Sequence, residues 1–262
     1  MIRLQNIHLT FAPDTVMEKK ALHGIDLQIE EGEFVTVIGS NGAGKSTLLN
    51  TISGEMLATS GAIYIDDDDV TKLAGHARSN AVARVFQDPL AGTCGDLTIA
   101  ENLALAHRRG KCRGLSWALP RALKEELKIA LKRLSLGLED RLDTSISLLS
   151  GGQRQAVSLL MATLSPLKIL LLDEHTSALD PKTAAYVMEL TQSIITEKKL
   201  TALMVTHSLQ QALHFGTRTI MLHEGRIIYD VKGPEREKLT VPDLLRQFGK
   251  SIDDDRLLLQ GG

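Results

Sequence analysis

Residues 2–11 and 22–30 alternate apolar and polar positions. A period of two predicts strands, here an antiparallel pair. Residues 34–38, Phe-Val-Thr-Val-Ile, form an apolar run too short for a helix. A glycine-rich turn follows, then helical spacing from Ser46 to Ile52, so this stretch reads strand, loop, helix. Residues 62–66 and 83–86 are two further short strands. From about Asp88 to Ser165 the period lengthens. Residues 97–106, 122–134 and 153–164 have helical spacing and no strand stands out among them. This predicts a helical lobe inserted into an α/β core. The core resumes at residues 168–174, where Ile169 to Leu172 form a buried-strand run. Asp180 followed by Pro181 is a helix start. Residues 201–206 predict a strand, and 218–223 with 226–231 flank Glu224-Gly225 as a hairpin. The final stretch, 252–262, predicts a loosely held tail.

Composition narrows the function. The chain has 262 residues, 43% of them hydrophobic, enough for one large core or a core with a smaller lobe. A formal net charge of −2 and 3% aromatic residues argue against a nucleic-acid binder. The two cysteines, Cys94 and Cys112, have neither CxxC spacing nor a nearby histidine cluster. They predict neither a disulfide framework nor a structural metal, and fit a reducing cytosol. The first residues carry no apolar signal core, and no apolar run approaches the ~20 residues of a membrane helix. The expectation is a soluble chain.

Three motifs carry chemistry. Gly39-Ser40-Asn41-Gly42-Ala43-Gly44-Lys45-Ser46 matches the phosphate-loop pattern, after a strand and before a helix. Glycines let backbone N–H groups close around phosphates, and the helix start adds partial positive charge. Lys45 is expected to reach the β and γ phosphates, Ser46 to bind Mg²⁺ and Thr47 to lend a further donor. Asp173 and Glu174 end the buried strand run, where successive side chains point to opposite faces. Asp173 is expected to hold Mg²⁺ through water, and Glu174 to orient and deprotonate an attacking water. Leu149-Ser150-Gly151-Gly152-Gln153 opens the helix after it. Ser150 and Gln153 form a capping box, so that helix start is a second anion site.

Together these residues resemble the ABC ATPase family over roughly residues 1–235. The resemblance implies a P-loop NTPase (RecA-like) core over 1–87 and 166–235, with an N-terminal antiparallel β-subdomain. It further implies an inserted α-helical subdomain over 88–165 and a C-terminal tail over 236–262. The implied reaction is hydrolysis of ATP with Mg²⁺. Ser150, Gly151, Gly152 and Gln153 of one subunit close on the ATP held by the phosphate loop of another, in a head-to-tail homodimer. Gln87 resembles the glutamine that senses Mg²⁺ and the water. Ser177 to Asp180 resemble the loop that crosses the dimer interface. His207 resembles the switch histidine that contacts the γ-phosphate. Phe11 resembles an aromatic that stacks on adenine; a core or hairpin role is the alternative.

Some residues depart from the common pattern. His175-Thr176 stands where most relatives have Pro-Thr, and the helix from Gln153 lacks the usual Ala-Arg-Ala-Leu. These features resemble a subgroup of bacterial importers that work with integral membrane permease subunits and an extracytoplasmic substrate-binding protein. Amino acids, aromatic ones included, are the substrates suggested for it. The implied location is the inner face of the cell membrane, reached through the permease. Two rivals remain: a soluble ABC ATPase in iron–sulfur assembly, and a regulatory nucleotide-binding module without turnover. Asp66 to Asp69 is either a cation site or a solvated strand end. The basic residues over 108–113 either meet lipid headgroups or a permease, or form a solvated loop.

Overall fold

The computed structural model describes residues 1–111 and 118–249. The chain divides into two compact units. The first holds residues 1–75 and the chain from Thr201 onward; the second holds 76–200. In chain order the first unit supplies β1 (Ile2–Phe11), β2 (Lys19–Ile29), β3 (Phe34–Gly39), α1 (Lys45–Ser53), β4 (Ser60–Ile65) and β5 (Asp68–Asp69). A single turn, α2 (Gly75–Arg78), stands where the chain passes to the second unit. There follow β6 (Val82–Val85), α3 (Ile99–His107), α4 (Arg121–Lys132), α5 (Gly151–Thr163), β7 (Ile169–Asp173) and α6 (Pro181–Lys198). The return to the first unit adds β8 (Ala202–Val205), α7 (Leu209–His214), β9 (Arg218–His223), β10 (Arg226–Lys232) and α8 (Gly233–Glu237).

In the first unit β1 pairs antiparallel with β2 and β4, and β5 closes the edge. Ile2, Leu4, Ile7 and Leu9 of β1 are buried, although a register shift separates Leu4 from Ile7, and Phe11 at its end is exposed. Asn6 sits in that irregularity with φ of 47°. Gly61 faces it from β4, where a Cβ would stand 2.4 Å from the Asn6 carbonyl oxygen, so only glycine fits. In the other sheet of this unit β3 runs parallel to β8 on one side and β9 on the other, and β10 pairs antiparallel with β9. Residues Phe34 to Ile38 are buried throughout, as a parallel strand covered on both faces requires.

The second unit pairs β6 with β7 in parallel, Val82 beside Ile169 and Val85 beside Leu172. Its helices share one apolar core of Ile99, Leu103, Leu127, Leu131, Val157 and Leu160 among others. Leu123, Leu127 and Leu131 recur every fourth residue on α4, which gives that helix a single buried stripe. Thr98 and Glu101 form a capping box at the start of α3. Arg109, one of the basic residues over 108–113, turns inward and donates to the carbonyls of Ala162 and Ser165. Cys112 and Arg113 lie outside the described residues, as does the tail over 252–262. Of the four acids after β4, Asp66 pairs with the N-terminal amine and Asp69 accepts from Thr71. Among the described residues no cluster of three or more acids, histidines or cysteines suits a metal ion, and no helix is long and apolar enough to cross a membrane.

Elements absent from the sequence reading include α7 and a helix over 241–249. The first is short; in the second, Val241, Leu244, Leu245 and Phe248 do recur at helical spacing, a signal that sequence reasoning passed over. The second is fastened by Leu244, fully buried against Ile38, Ala212 and Met221. Leu244→Ala should therefore cost about 2–5 kcal/mol. A urea-denaturation midpoint equal to that of the wild type would mean that this helix adds nothing to the fold.

Candidate nucleotide site

In the first unit the phosphate loop is set by backbone packed on backbone. A Cβ on Gly39 would lie 2.4 Å from the carbonyl oxygen of Leu222 on β9, its register partner. Gly44 has φ of 99°, and a Cβ there would meet the Ala21 carbonyl at 2.8 Å. The β9–β10 turn closes the loop from behind. Glu224 and Gly225 have φ of 44° and 74°, the signs of a type I′ hairpin. Gly225 donates to the Ala43 carbonyl at 3.0 Å and accepts from His23 at 2.9 Å. Gly42, with φ of 82°, and Asn41 are exposed at the loop tip.

Lys45 opens α1 with its side chain buried. Its ammonium donates to the carbonyls of Gly39 and Ser40 at 2.8 and 2.9 Å, so the cation is folded back across the loop. The N-cap is Gly44, which offers no side-chain acceptor, and the first intrahelical bond is Leu48 N–H to Gly44. A helix start of this kind suits an incoming anion. Ser46 is exposed and Thr47 half-buried.

Parallel pairing of β3 with β8 brings their C-terminal ends to the same sheet edge. His207 leaves that edge two residues beyond β8 and is exposed. Its backbone is held on both sides. Thr206 donates its hydroxyl to Gln211, and its oxygen accepts the Ser208 N–H, while Ser208 caps α7. At the far end of α7, Arg236 donates to the carbonyls of Ala212, Leu213 and Phe215 and fixes the helix. Phe11 ends β1 opposite Lys19 and is partly exposed.

In the second unit, β6 and β7 deliver Gln87, Asp173 and Glu174 from one sheet edge. Gln87 is exposed. Asp173 is nearly buried and paired with Arg84 of β6, Nη2 to Oδ2 at 2.5 Å. Glu174 adopts φ of 47°, a conformation that costs free energy in a residue with a Cβ. The turn that holds it begins with Ser177 N–H donating to the Glu174 carbonyl. His175 is buried and shares a 3.0 Å hydrogen bond with the Thr191 hydroxyl on α6. Thr191 in turn donates to Val187. The threonine oxygen therefore accepts, and His175 Nε2 carries the proton. Burial pushes the His175 imidazole down to about 4, so it is neutral. Asp180 caps α6 by accepting from the Thr183 N–H.

Ser150 caps α5 with both halves of the capping box formed with Gln153. Ser150 and Gly151 are exposed. Gly152 is buried, and a Cβ on it would stand 2.0 Å from the Thr183 side chain of α6. Gly152 thus lets α5 and α6 approach closely. Arg154 donates to the carbonyls of Ile146, Ser147 and Leu149, which fixes the loop before the helix. Sequence reasoning gave no role at the site to Arg84, Gly225 or Arg154, although it read Gly225 as a hairpin turn; a charged residue inside the apolar run Val82 to Phe86 was a further visible signal.

Two local arrangements thus exist: a phosphate loop with a histidine at one sheet edge, and a carboxylate pair with a capped glycine-rich helix start. They define a class of nucleotide-hydrolysing proteins. The model of the ABC transporter family matches residues 22–177, and the chain belongs to that family. It is an ATP-binding, ATP-hydrolysing cassette.

The chain is 48% identical to the "Tyrosine transport ATP-binding protein" of Clostridioides difficile (strain R20291), over 96% of this chain and 100% of that one. It is 34% identical to the phosphonates import ATP-binding protein PhnC of Lactococcus lactis subsp. cremoris (strain SK11), over 95% and 100%. Among solved structures, the ATP-binding cassette MJ0796, a dimer in a post-hydrolysis state bound to ADP and Pi, superposes with a TM-score of 0.75. It has 32% identity and covers 88% of this chain and 98% of its own. The ADP conformation of the cassette MJ1267 gives 0.77 at 26% identity, covering 95% and 98%.

Gly39→Ala should abolish tight ATP binding, because the methyl group would stand 2.4 Å from the Leu222 carbonyl oxygen and force the loop to shift. Equilibrium binding at wild-type affinity would show that the loop tolerates the shift. A second expectation concerns acid. The folded-state pKa of His175 lies below its ordinary 6.5, so its contribution to stability is complete above about pH 6.5 and is lost as pH falls toward 4. His175→Gln keeps a donor for Thr191 but does not titrate. Its melting temperature should fall less than that of the wild type between pH 6.5 and 4; parallel curves would remove His175 as a cause.

Proposed function

We propose that this chain is the motor subunit of a bacterial importer of amino acids, aromatic ones included. The observation that carries the reading is its 48% identity, over nearly the whole of both chains, to a protein named for tyrosine transport. Its partners are then integral membrane permease subunits, an extracytoplasmic substrate-binding protein and a second copy of itself. Its place is the cytoplasmic face of the membrane, beside the permease. The named relatives are transporter subunits, which gives the iron–sulfur assembly reading no support.

In this reading the loop Gly39 to Thr47 wraps the phosphates of ATP, and Lys45 turns from the Gly39 and Ser40 carbonyls to the β and γ phosphates. Phe11 lies against adenine. Glu174 takes the proton of the attacking water, and His207 contacts the γ-phosphate. The donors at hand, a serine hydroxyl, one carboxylate and a glutamine amide, fit Mg²⁺, which favours one or two carboxylates plus substrate phosphates. Ser46, Asp173 and Gln87 would hold that ion, which would neutralise charge on the phosphates. Ser150, Gly151, Gly152 and Gln153 close on the ATP of the second copy, and Asp180 ends the loop that crosses between copies. Their exposed α5 start suits that contact. The permease docks on the segment after Gln87, where Leu90 is half exposed.

Glu174→Gln keeps shape and hydrogen bonding but cannot take a proton. Turnover should fall by ~10²–10⁴, while ATP still binds and an ATP-bound dimer accumulates on size-exclusion chromatography. Near-normal turnover would assign the base elsewhere. For the cargo, vesicles reconstituted with the permease and binding protein should take up labelled tyrosine or another amino acid when ATP is supplied on the cassette side. Stimulation by no amino acid would refute the substrate class.

A further inference from the structure

The ion pair between Arg84 and Asp173 lies outside the motifs that identify the family. Both side chains are nearly out of water, 10% and 12% exposed. The guanidinium is held on a second side by the Phe86 ring, 4.7 Å from its centroid. Arg84 and Phe86 are two residues apart, and so lie on one face of the β6 strand direction. Parallel pairing sets Arg84 beside Leu171 of β7, two residues before Asp173. The arginine therefore reaches along the strands, over the ring, to the carboxylate. Stability is a weak explanation for such a pair. A buried ion pair is often no more stabilising than apolar residues of the same size, and this one interrupts an otherwise apolar strand.

Its consequence for charge is direct. A fixed positive charge at hydrogen-bond distance cancels most of the field of the Asp173 carboxylate and repels a dication that approaches it. ATP brings several negative charges of its own and can overcome that repulsion; the carboxylate alone cannot. We propose that Arg84 is a positioning residue that orients Asp173 and suppresses its affinity for a free divalent cation, so that Mg²⁺ enters only together with nucleotide. The proposal rests on the reading of Asp173 as the carboxylate that holds Mg²⁺.

The test uses Mn²⁺ as the probe, titrated by electron paramagnetic resonance into the full-length chain without nucleotide. Arg84→Met and Arg84→Gln remove the charge and are two independent chances of a folded variant, checked by circular dichroism. Either should bind Mn²⁺ about ten-fold or more tightly than the wild type. The gain should vanish in the double variant with Asp173→Asn. Arg84→Lys keeps the charge and should resemble the wild type. Unchanged or weaker Mn²⁺ binding in the Met and Gln variants would overturn the proposal, as would a Lys variant that gains as much as they do. A separate arm examines the parent reading: Asp173→Asn alone should raise the Mg²⁺ concentration needed to bind a fluorescent ATP analogue. If it does not, the assignment of Asp173 fails. If it does, and the Arg84 variants show no gain, only the role of Arg84 fails.

Discussion

Backbone packed directly against backbone is the constraint on which the phosphate loop depends. At Gly39 the chain passes so close to the Leu222 carbonyl that a single methyl group cannot enter. At Gly44 it also passes too close to the Ala21 carbonyl for a Cβ, with a left-handed φ that favours glycine. Between these two points the loop has little choice of path, and α1 must start at Lys45 with a bare N-cap. The ammonium of Lys45 turns back onto two loop carbonyls and ties the loop to that start. The binding surface is thus a product of strand packing: the parallel β3 fixes where the loop leaves, and the β9–β10 hairpin fixes how tightly it closes.

The second unit uses the same device for a different end. Gly152 lets α5 sit against the first turn of α6, where Thr183 occupies the place of a side chain. Both helices carry their own caps at that point, Ser150 on one and Asp180 on the other. Two capped helix starts are therefore locked together by one missing Cβ. Nearby, the Glu174 backbone is held in a conformation disfavoured for its residue type. Strain of that kind persists only where the surroundings impose it, and the Ser177 hydrogen bond together with the buried His175–Thr191 contact do so here. A neutral histidine ties this turn to α6.

Much of this was legible beforehand because the signals are local. Strand and helix periods depend on neighbours within a few residues, so β3, β7, the β9–β10 hairpin and the helices over 97–164 were readable with small shifts at their ends. The capping box at Ser150 and the Asp180-Pro181 start are rules of a single turn and appear as read. The phosphate loop is a contiguous eight-residue pattern whose physics requires each glycine, lysine and serine at a set spacing. These features, and membership of a family built on them, were determined by the sequence alone.

What only the tertiary structure decided involves partners distant in sequence. Arg84 and Asp173 are 89 residues apart, and no local pattern pairs them; adjacent parallel strands do. Gly225 closes on Ala43 because a hairpin folds back behind the loop. Arg109 reads as a surface cation in its basic run, yet it spends its donors on carbonyls of α5 and the turn after it. The helix over 241–249 has helical spacing of its own at Val241, Leu244 and Phe248, but that Leu244 anchors it beside Ile38 and Met221 becomes visible only in the fold. In each case the energy comes from burial or from pairing a charge away from water, and both depend on which surfaces meet, which residue spacing does not encode.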